Sequence, residues 1–591
     1  MTKNNDRIKG VKQYDKYIWI LSSIAVVGVL LLWLSKNLDF MFISNDDIYI
    51  RAILSGDLTG TPDAHTIYIL YPLAWVLALF YEIFPNINWY GIFTTGMYAI
   101  CWIVILYRAI LISEKTWKRI RNFFLAFFFL LIFNLQYLIY SQYTVLAGIL
   151  GCTAVFLFVT IKNDNKWTEY IPVIIFFTIS FLTRSKIALM YSPFIVCFAF
   201  YKVGYEFFEK KNKQNAIYII KKYILLFTVV GIFWGGLFSI HSLAYHTNEW
   251  NQFEEYNKYR TEVYDYYSYP DYEDNKEFYS SLDIQEEEMY LIQSANLSID
   301  ENITVEKMKA IYLKSKESFE WNQQFYSVPR KVVFDYLDSF FDVNRAVIFL
   351  YRLYGAAIFL ALIERKNTIW ISFTFLFLIR SMLRGYLIYR GRFPERVSYP
   401  LTLIEITLLI GMMIHASSQS NYLKDLAKER NRGSCIFTMI FMSFMLLLVI
   451  DVYKENLDRN ITIKNEADWT ANLFPYLEEN IENNYLLEVQ SMATLKAPMF
   501  GKGTNLPKNA IYIGGWLQKS PLIQEQYNNR LHAILEDEVL KEDNIFFIQK
   551  QQLSILWMEE YFKTMETSIH ASIVTNIELN GNEVYSVIQL K

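Results

Sequence analysis

Tyr17-Ile-Trp-Ile-Leu-Ser-Ser-Ile-Ala-Val-Val-Gly-Val-Leu-Leu-Leu-Trp-Leu34 is an uncharged run that follows Lys3, Arg7, Lys9, Lys12 and Lys16. At about 1.5 Å of helical rise per residue, a run of this length reaches across most of a bilayer core of about 30 Å. It is too long for the apolar core of a secretory signal, and no small-residue cleavage site follows it. It therefore reads as a first spanning helix whose N-terminus stays in the cytoplasm, the side on which lysine and arginine collect.

Working outward, similar apolar runs occur near 89–111, 123–140, 144–161, 171–183 (short), 187–203, 221–245, 346–363, 368–388, 398–416 and 435–451. The short linkers 112–122, 162–170, 204–220, 364–367 and 417–434 carry basic residues such as Lys118, Arg119, Arg121, Lys210, Lys211, Lys213, Lys424 and Arg430. Those linkers belong inside. A twelfth apolar stretch, 67–84, breaks this alternation if it crosses fully. Either it is shallow or re-entrant and there are 11 spans, or one more span exists and there are 13. The sequence thus predicts a polytopic α-helical membrane protein of about 11–13 transmembrane helices, in the plasma (cytoplasmic) membrane, with a small C-terminal extracytoplasmic α/β domain.

Composition agrees. Of 591 residues, 53% are hydrophobic and 17% aromatic against 19% charged, which is too apolar for an ordinary soluble enzyme. A net charge of -3 leaves no broad basic surface for nucleic acid. Cys101, Cys152, Cys197 and Cys435 all fall in apolar runs, so no disulfide framework is implied. Residues 1–451 form the transmembrane module, with external loops 36–66 and 246–340, and residues 452–591 the extracytoplasmic domain. Loop 246–340 holds 20 acidic against nine basic residues and reads as mostly helical, most plainly a solvated spacer. In the tail, 509–516, 544–548 and 584–588 read as strands, with helices at 526–541 and 553–566.

Four clusters carry chemistry. Ser44-Asn45-Asp46-Asp47-Ile48-Tyr49 places two carboxylates just past the first span, where one can act as general base and the pair can hold a divalent cation, Mg or Mn. The plainer reading is a cap on the helix that follows. Gly56-Asp-Leu-Thr-Gly-Thr-Pro62-Asp63-Ala-His65 is a turn-rich stretch leading to Tyr71-Pro72-Leu73, and His65 is a candidate substrate contact or a structural hydrogen-bonding residue. Thr183-Arg184-Ser185-Lys186 puts two cations on the side where cations are scarce, either snorkelling to lipid headgroups or binding a phosphate. Arg380, Arg384, Arg390, Arg392 and Arg396 gather at and beyond the outer end of another span, where they either capture a lipid phosphate or form a network with Glu395 and the acidic loop.

The acidic pair, the turn leading to Tyr-Pro-Leu, the Thr-Arg-Ser-Lys turn and the C-terminal ectodomain, in this order, resemble the GT-C superfamily of multispan glycosyltransferases. Protein O-mannosyltransferases and the lipid A aminoarabinose transferase are members. The resemblance implies transfer of a sugar from a polyprenyl-phosphate or pyrophosphate donor to an extracytoplasmic acceptor, a cell-surface glycan, polymer or protein. It would make Asp46 the catalytic base or a metal ligand with Asp47 as its partner, and would set Arg184-Ser-Lys186 against the carrier phosphate. The family's His-Pro-Pro-Leu is interrupted here, since His65 stands apart from Tyr71-Pro72-Leu73. A transporter or flippase of lipid-linked sugars is the alternative, and a non-catalytic receptor a second one.

Overall fold

The computed structural model describes residues 2–161, 166–300, 302–322, 327–341, 344–364, 366–419, 432–493, 495–501, 504–531, 540–564, 569–579 and 582–591. The side chains of 1–15 and most of linker 417–434 lie outside the described residues. The chain opens with α1 (Thr2–Asn37), α2 (Asn45–Ser55), α3 (Tyr71–Ile83), α4 (Trp89–Leu111), α5 (Thr116–Ile139) and α6 (Tyr143–Val159). It continues with α7 (Ile171–Thr183), α8 (Ser185–Gly204) and α9 (Lys213–Ala244). Helices α10 (Asn248–Glu262), α11 (Lys276–Ser281), α12 (Met289–Ser294), α13 (Val305–Asn322) and α14 (Ser327–Asp338) make up the acidic loop. Then come α15 (Arg345–Glu364), α16 (Asn367–Tyr389), α17 (Glu395–Gln419) and the long helix Arg432–Glu479.

Every expected span is a helix. Eight helices among the described residues have the length and hydropathy to cross a bilayer, which makes this a multi-pass membrane protein. The ambiguous stretch resolves into α3, 13 residues long and so about 20 Å, too short to cross alone. Pro72 at its first turn and the irregular chain before it account for the late start.

Small residues set how closely the helices pack. A Cβ on Gly148 of α6 would stand 2.5 Å from the Cβ of Pro400 in α17, so these two helices approach at a distance only glycine allows. Tyr191 of α8 donates to the Pro400 carbonyl at 2.7 Å at the same crossing. The contact holds the start of α17 against the start of α6, which brings Arg396 toward the first loop.

The C-terminal region forms a five-stranded mixed sheet. Its strands are β3 (Asn484–Leu487), β5 (Ala510–Tyr512), β6 (Ile545–Lys550), β7 (Ala571–Leu579) and β8 (Asn582–Leu590), in the order β5-β3-β6-β8-β7. β3 pairs in parallel with β5 and β6, while β8 is antiparallel to β6 and β7. A second small sheet ties the modules together: β1 (Met41–Phe42) lies between β2 (Tyr140–Ser141) and β4 (Ala497–Pro498). The acidic loop is more than a spacer, because Phe253, Tyr256, Leu291, Ile292, Ile303, Met308 and Ile311 are buried. It docks on the C-terminal region through Asn296 Nδ2 to Glu488 Oε1 (2.9 Å) and Gly515 N–H to the Ala295 carbonyl (2.8 Å).

Gly148→Leu forces the α6–α17 crossing apart, and overpacking of this kind costs about 1–3 kcal/mol. The variant should melt several degrees below the parent in a detergent thermal-shift assay.

Candidate active site

The two carboxylates of the first loop have opposite surroundings. Both lie in the first turn of α2, but Ser44 is the N-cap and makes no side-chain cap bond, so the helix-cap reading of the acidic pair does not describe it. Asp47 is 0% exposed, and its Oδ1 accepts from the Tyr90 hydroxyl at 2.7 Å and from the Tyr143 N–H at 3.1 Å. Tyr143 opens α6, so its amide is one of the orphan donors that every helix start presents. Gln142 satisfies another by accepting from Val145 N–H. Asp47 therefore ties α2 to α4 and α6 at one point, and β1–β2 pairing a few residues earlier sets the register. Its Oδ2 is buried with no partner, and burial pushes the carboxyl up to about 8.

Asp46 faces the other way, into a group of cations. Arg396 Nη1 lies 3.1 Å from its Oδ2. Burial raises its pKa, and the charges of Arg396, Arg184 and Arg392 oppose that rise. Arg184 sits between α7 and α8 with its guanidinium 4.9 Å from the Tyr68 ring and 5.2 Å from the Tyr143 ring. Among the described residues its side chain makes no hydrogen bond or ion pair, and the side chain of the exposed Lys186 beside it makes none either. Arg390 and Arg392 are matched by carboxylates. Arg390 bonds Glu262 at 2.9 Å and covers the Tyr266 ring at 4.2 Å, and Arg392 pairs with Asp265. Glu262 ends α10 and Asp265 lies in the π-helical turn Val263–Tyr267 that follows, so the acidic loop supplies both partners.

The structure keeps two of the expected residues away from Asp46. Arg384 is 2% exposed inside the bundle and donates to Thr402. His65 has both ring nitrogens engaged, Nδ1 with Asp63 at 2.7 Å and Nε2 with the Ala244 carbonyl at 3.2 Å, and its ring stacks on Trp250. That arrangement is structural. Sequence reasoning missed Tyr68, Tyr90 and Tyr143, which frame the pair, and Tyr512 and Trp516 of the C-terminal region, which pack on Tyr49 of α2. In a chain with 44 tyrosines, no local signal sets these apart.

A divalent cation at the acidic pair would meet an ion-paired Asp46 that three guanidinium groups already surround. Among the described residues no three His, Cys, Asp or Glu side chains gather as ligands. At Asp46 itself, positive charge is already brought by Arg396, Arg184 and Arg392.

No family model matches the chain, and no curated protein matches it. Among solved structures it is similar to ArnT from Cupriavidus metallidurans bound to undecaprenyl phosphate, at 10% identity and a TM-score of 0.37, covering 96% of this chain and 98% of that one. The likeness is loose and says nothing about a donor or an acceptor here.

The raised pKa of Asp47 has a consequence for stability. Unfolded, the carboxyl titrates near its model value of 3.8, while folded it holds its proton up to about 8. Between these values the native state binds the extra proton, so stability is greatest at the acid end and falls as pH rises toward 8. The melting temperature should decline over that window, and Asp47→Asn, which mimics the protonated acid, should flatten the decline.

Proposed function

We propose that the protein is a membrane glycosyltransferase that moves a sugar from a polyprenyl-phosphate or pyrophosphate donor to an acceptor hydroxyl outside the cytoplasm. The observation that carries this reading is a buried carboxylate, Asp46, held by Arg396 and within reach of the charge of Arg184, whose side chain has no ion-pair partner, with Lys186 two residues on. Such a group can remove a proton at one end of a displacement and neutralise a leaving phosphate at the other.

In this reading Asp46 takes the proton of the acceptor hydroxyl as its oxygen attacks the anomeric carbon. The bond from that carbon to the carrier phosphate oxygen breaks, and the phosphate leaves with the bonding electrons toward Arg184 and Lys186. A single displacement inverts the anomeric configuration. Asp47, buried and protonated near neutral pH, is the positioning residue. The Tyr68 and Tyr143 rings flank the Arg184 guanidinium without taking its N–H donors in hydrogen bonds, which leaves them for phosphate oxygens. Transport of lipid-linked sugars is favoured less, because the unmatched cations lie with a carboxylate at helix ends rather than at paired broken helices.

The site, the acidic loop and the C-terminal region all belong on the extracytoplasmic side. A cysteine at the exposed Gln552 should react with an impermeant thiol reagent on intact cells, and labelling only after permeabilisation contradicts the orientation.

The purified protein should transfer radiolabel from a polyprenyl-phosphate sugar to acceptor or water, and should do so in excess EDTA. In Arg184→Ala and Lys186→Ala, losing one charge-assisted contact costs about 1.5–3 kcal/mol, roughly 10- to 150-fold in donor affinity. Full activity in the double variant argues against the assignment, as does a strict requirement for added metal.

A further inference from the structure

Tyr68 reaches Arg184 from a strained backbone. The residue before it, Ile67, stands at φ 65°, in the left-handed region that a β-branched side chain rarely enters. It is held there because its N–H donates to the Tyr245 hydroxyl at 3.0 Å. On the other side of Tyr68, the Leu70 N–H donates to the Leu182 carbonyl at 2.9 Å, two residues before Arg184. Strain of this kind persists only where the surroundings over-determine it, and it gathers at ligand clamps. Here it delivers one ring, which lies 4.9 Å from the Arg184 guanidinium and stacks on Tyr143 at 5.7 Å.

The C-terminal region covers that ring. Trp516 follows β5 in the short 3-10 turn Gly515–Leu517, with its ring centroid 4.6 Å from that of Tyr68 and 5.7 Å from that of Tyr49. Tyr49 sits in α2 two residues after Asp47, so one indole touches both the segment that flanks Arg184 and the helix that carries the acids. The turn is pinned. A Cβ on Gly514 would run into the Ala295 carbonyl oxygen, and Gly515, at φ 75°, donates its N–H to that oxygen at 2.8 Å. Trp516 is 8% exposed, and among the described residues its Nε1 is buried without a partner. Ring packing, and not a hydrogen bond, therefore sets its place.

We infer that Trp516 is a positioning residue for the anion site: it fixes Tyr68, and Tyr68 fixes the Arg184 guanidinium before a ligand arrives. Arginine is rich in rotamers, so a guanidinium held in advance loses less freedom on binding. The C-terminal region thus takes part in the site through a chain of aromatic rings that carries no charge. The inference rests on the proposed role of Arg184 toward the carrier phosphate, and goes beyond it by assigning a residue of the C-terminal region to that site.

The full-length protein in phosphatidylcholine nanodiscs can be titrated with farnesyl phosphate. In Trp516→Leu the dissociation constant should rise roughly 3- to 10-fold, the effect of having to order one long side chain on binding. Trp516→Phe, which keeps a ring, should restore most of the affinity. Tyr68→Leu should match Trp516→Leu, and the double variant should lose no more than either single one, because both rings act on one group. In an Arg184→Ala background Trp516→Leu should change nothing, whereas a merely structural tryptophan would weaken binding equally with and without Arg184. If Trp516→Leu does not fold, Trp516→Met, a flexible side chain of similar bulk, is read in the same way. Parental affinity in the Trp516→Leu chain, or an equal loss in both backgrounds, overturns the inference while the role of Arg184 stands. If Arg184→Ala alone binds farnesyl phosphate as tightly as the parent, the carrier-phosphate assignment fails and the inference falls with it.

Discussion

A single buried carboxyl oxygen joins three segments of this fold. Asp47 Oδ1 holds the hydroxyl of Tyr90 on α4 and the first amide of α6, so the first loop cannot move without breaking both. The oxygen works best when the acid is neutral, because an ionised carboxylate with a bare Oδ2 inside the protein is costly. Fixing Asp47 inward fixes Asp46 outward, since consecutive helical residues are turned by about 100°. The neighbour is then delivered to Arg396 and to the unmatched Arg184.

The same contrast between matched and unmatched charge organises the arginines. Arg390 and Arg392 are held by Glu262 and Asp265 over the ring of Tyr266, which joins the acidic loop to the end of α16. The side chains of Arg184 and Lys186 have no such partners within ion-pair distance among the described residues. Cations that a protein leaves unmatched are the ones available to an anionic ligand. The five arginines 380, 384, 390, 392 and 396, which look equivalent along the sequence, all have protein partners, while the Arg184 side chain rests only on tyrosine rings.

That division marks where the sequence stopped being legible. The spans could be read because a run such as Tyr17–Leu34 has only lipid as a suitable solvent, and the strands 545–550 and 582–590 because their β-branched and aromatic pattern is local. Strand β3 was missed, as a four-residue edge of a long helix gives little pattern. Asp46 and Asp47 were legible as a pair, but their separate roles depend on Tyr90 and Tyr143, residues 43 and 96 positions away from Asp47. His65 could be read in the sequence either as a substrate contact or as a structural hydrogen-bonding residue, and the bond to the carbonyl of Ala244, 179 positions away, favours the second.

The division of labour between the two acids is the centre of this account, and turnover of their amide variants at neutral pH tests it most directly. Asn in place of a neutral, buried Asp47 keeps the accepting oxygen, so Asp47→Asn should fold and transfer sugar within a few-fold of the parent. Asp46→Asn should fold with an unchanged melting temperature and lose about 10²–10⁴-fold in turnover, the usual range for a general base. An active Asp46→Asn beside a folded but inactive Asp47→Asn would contradict the account.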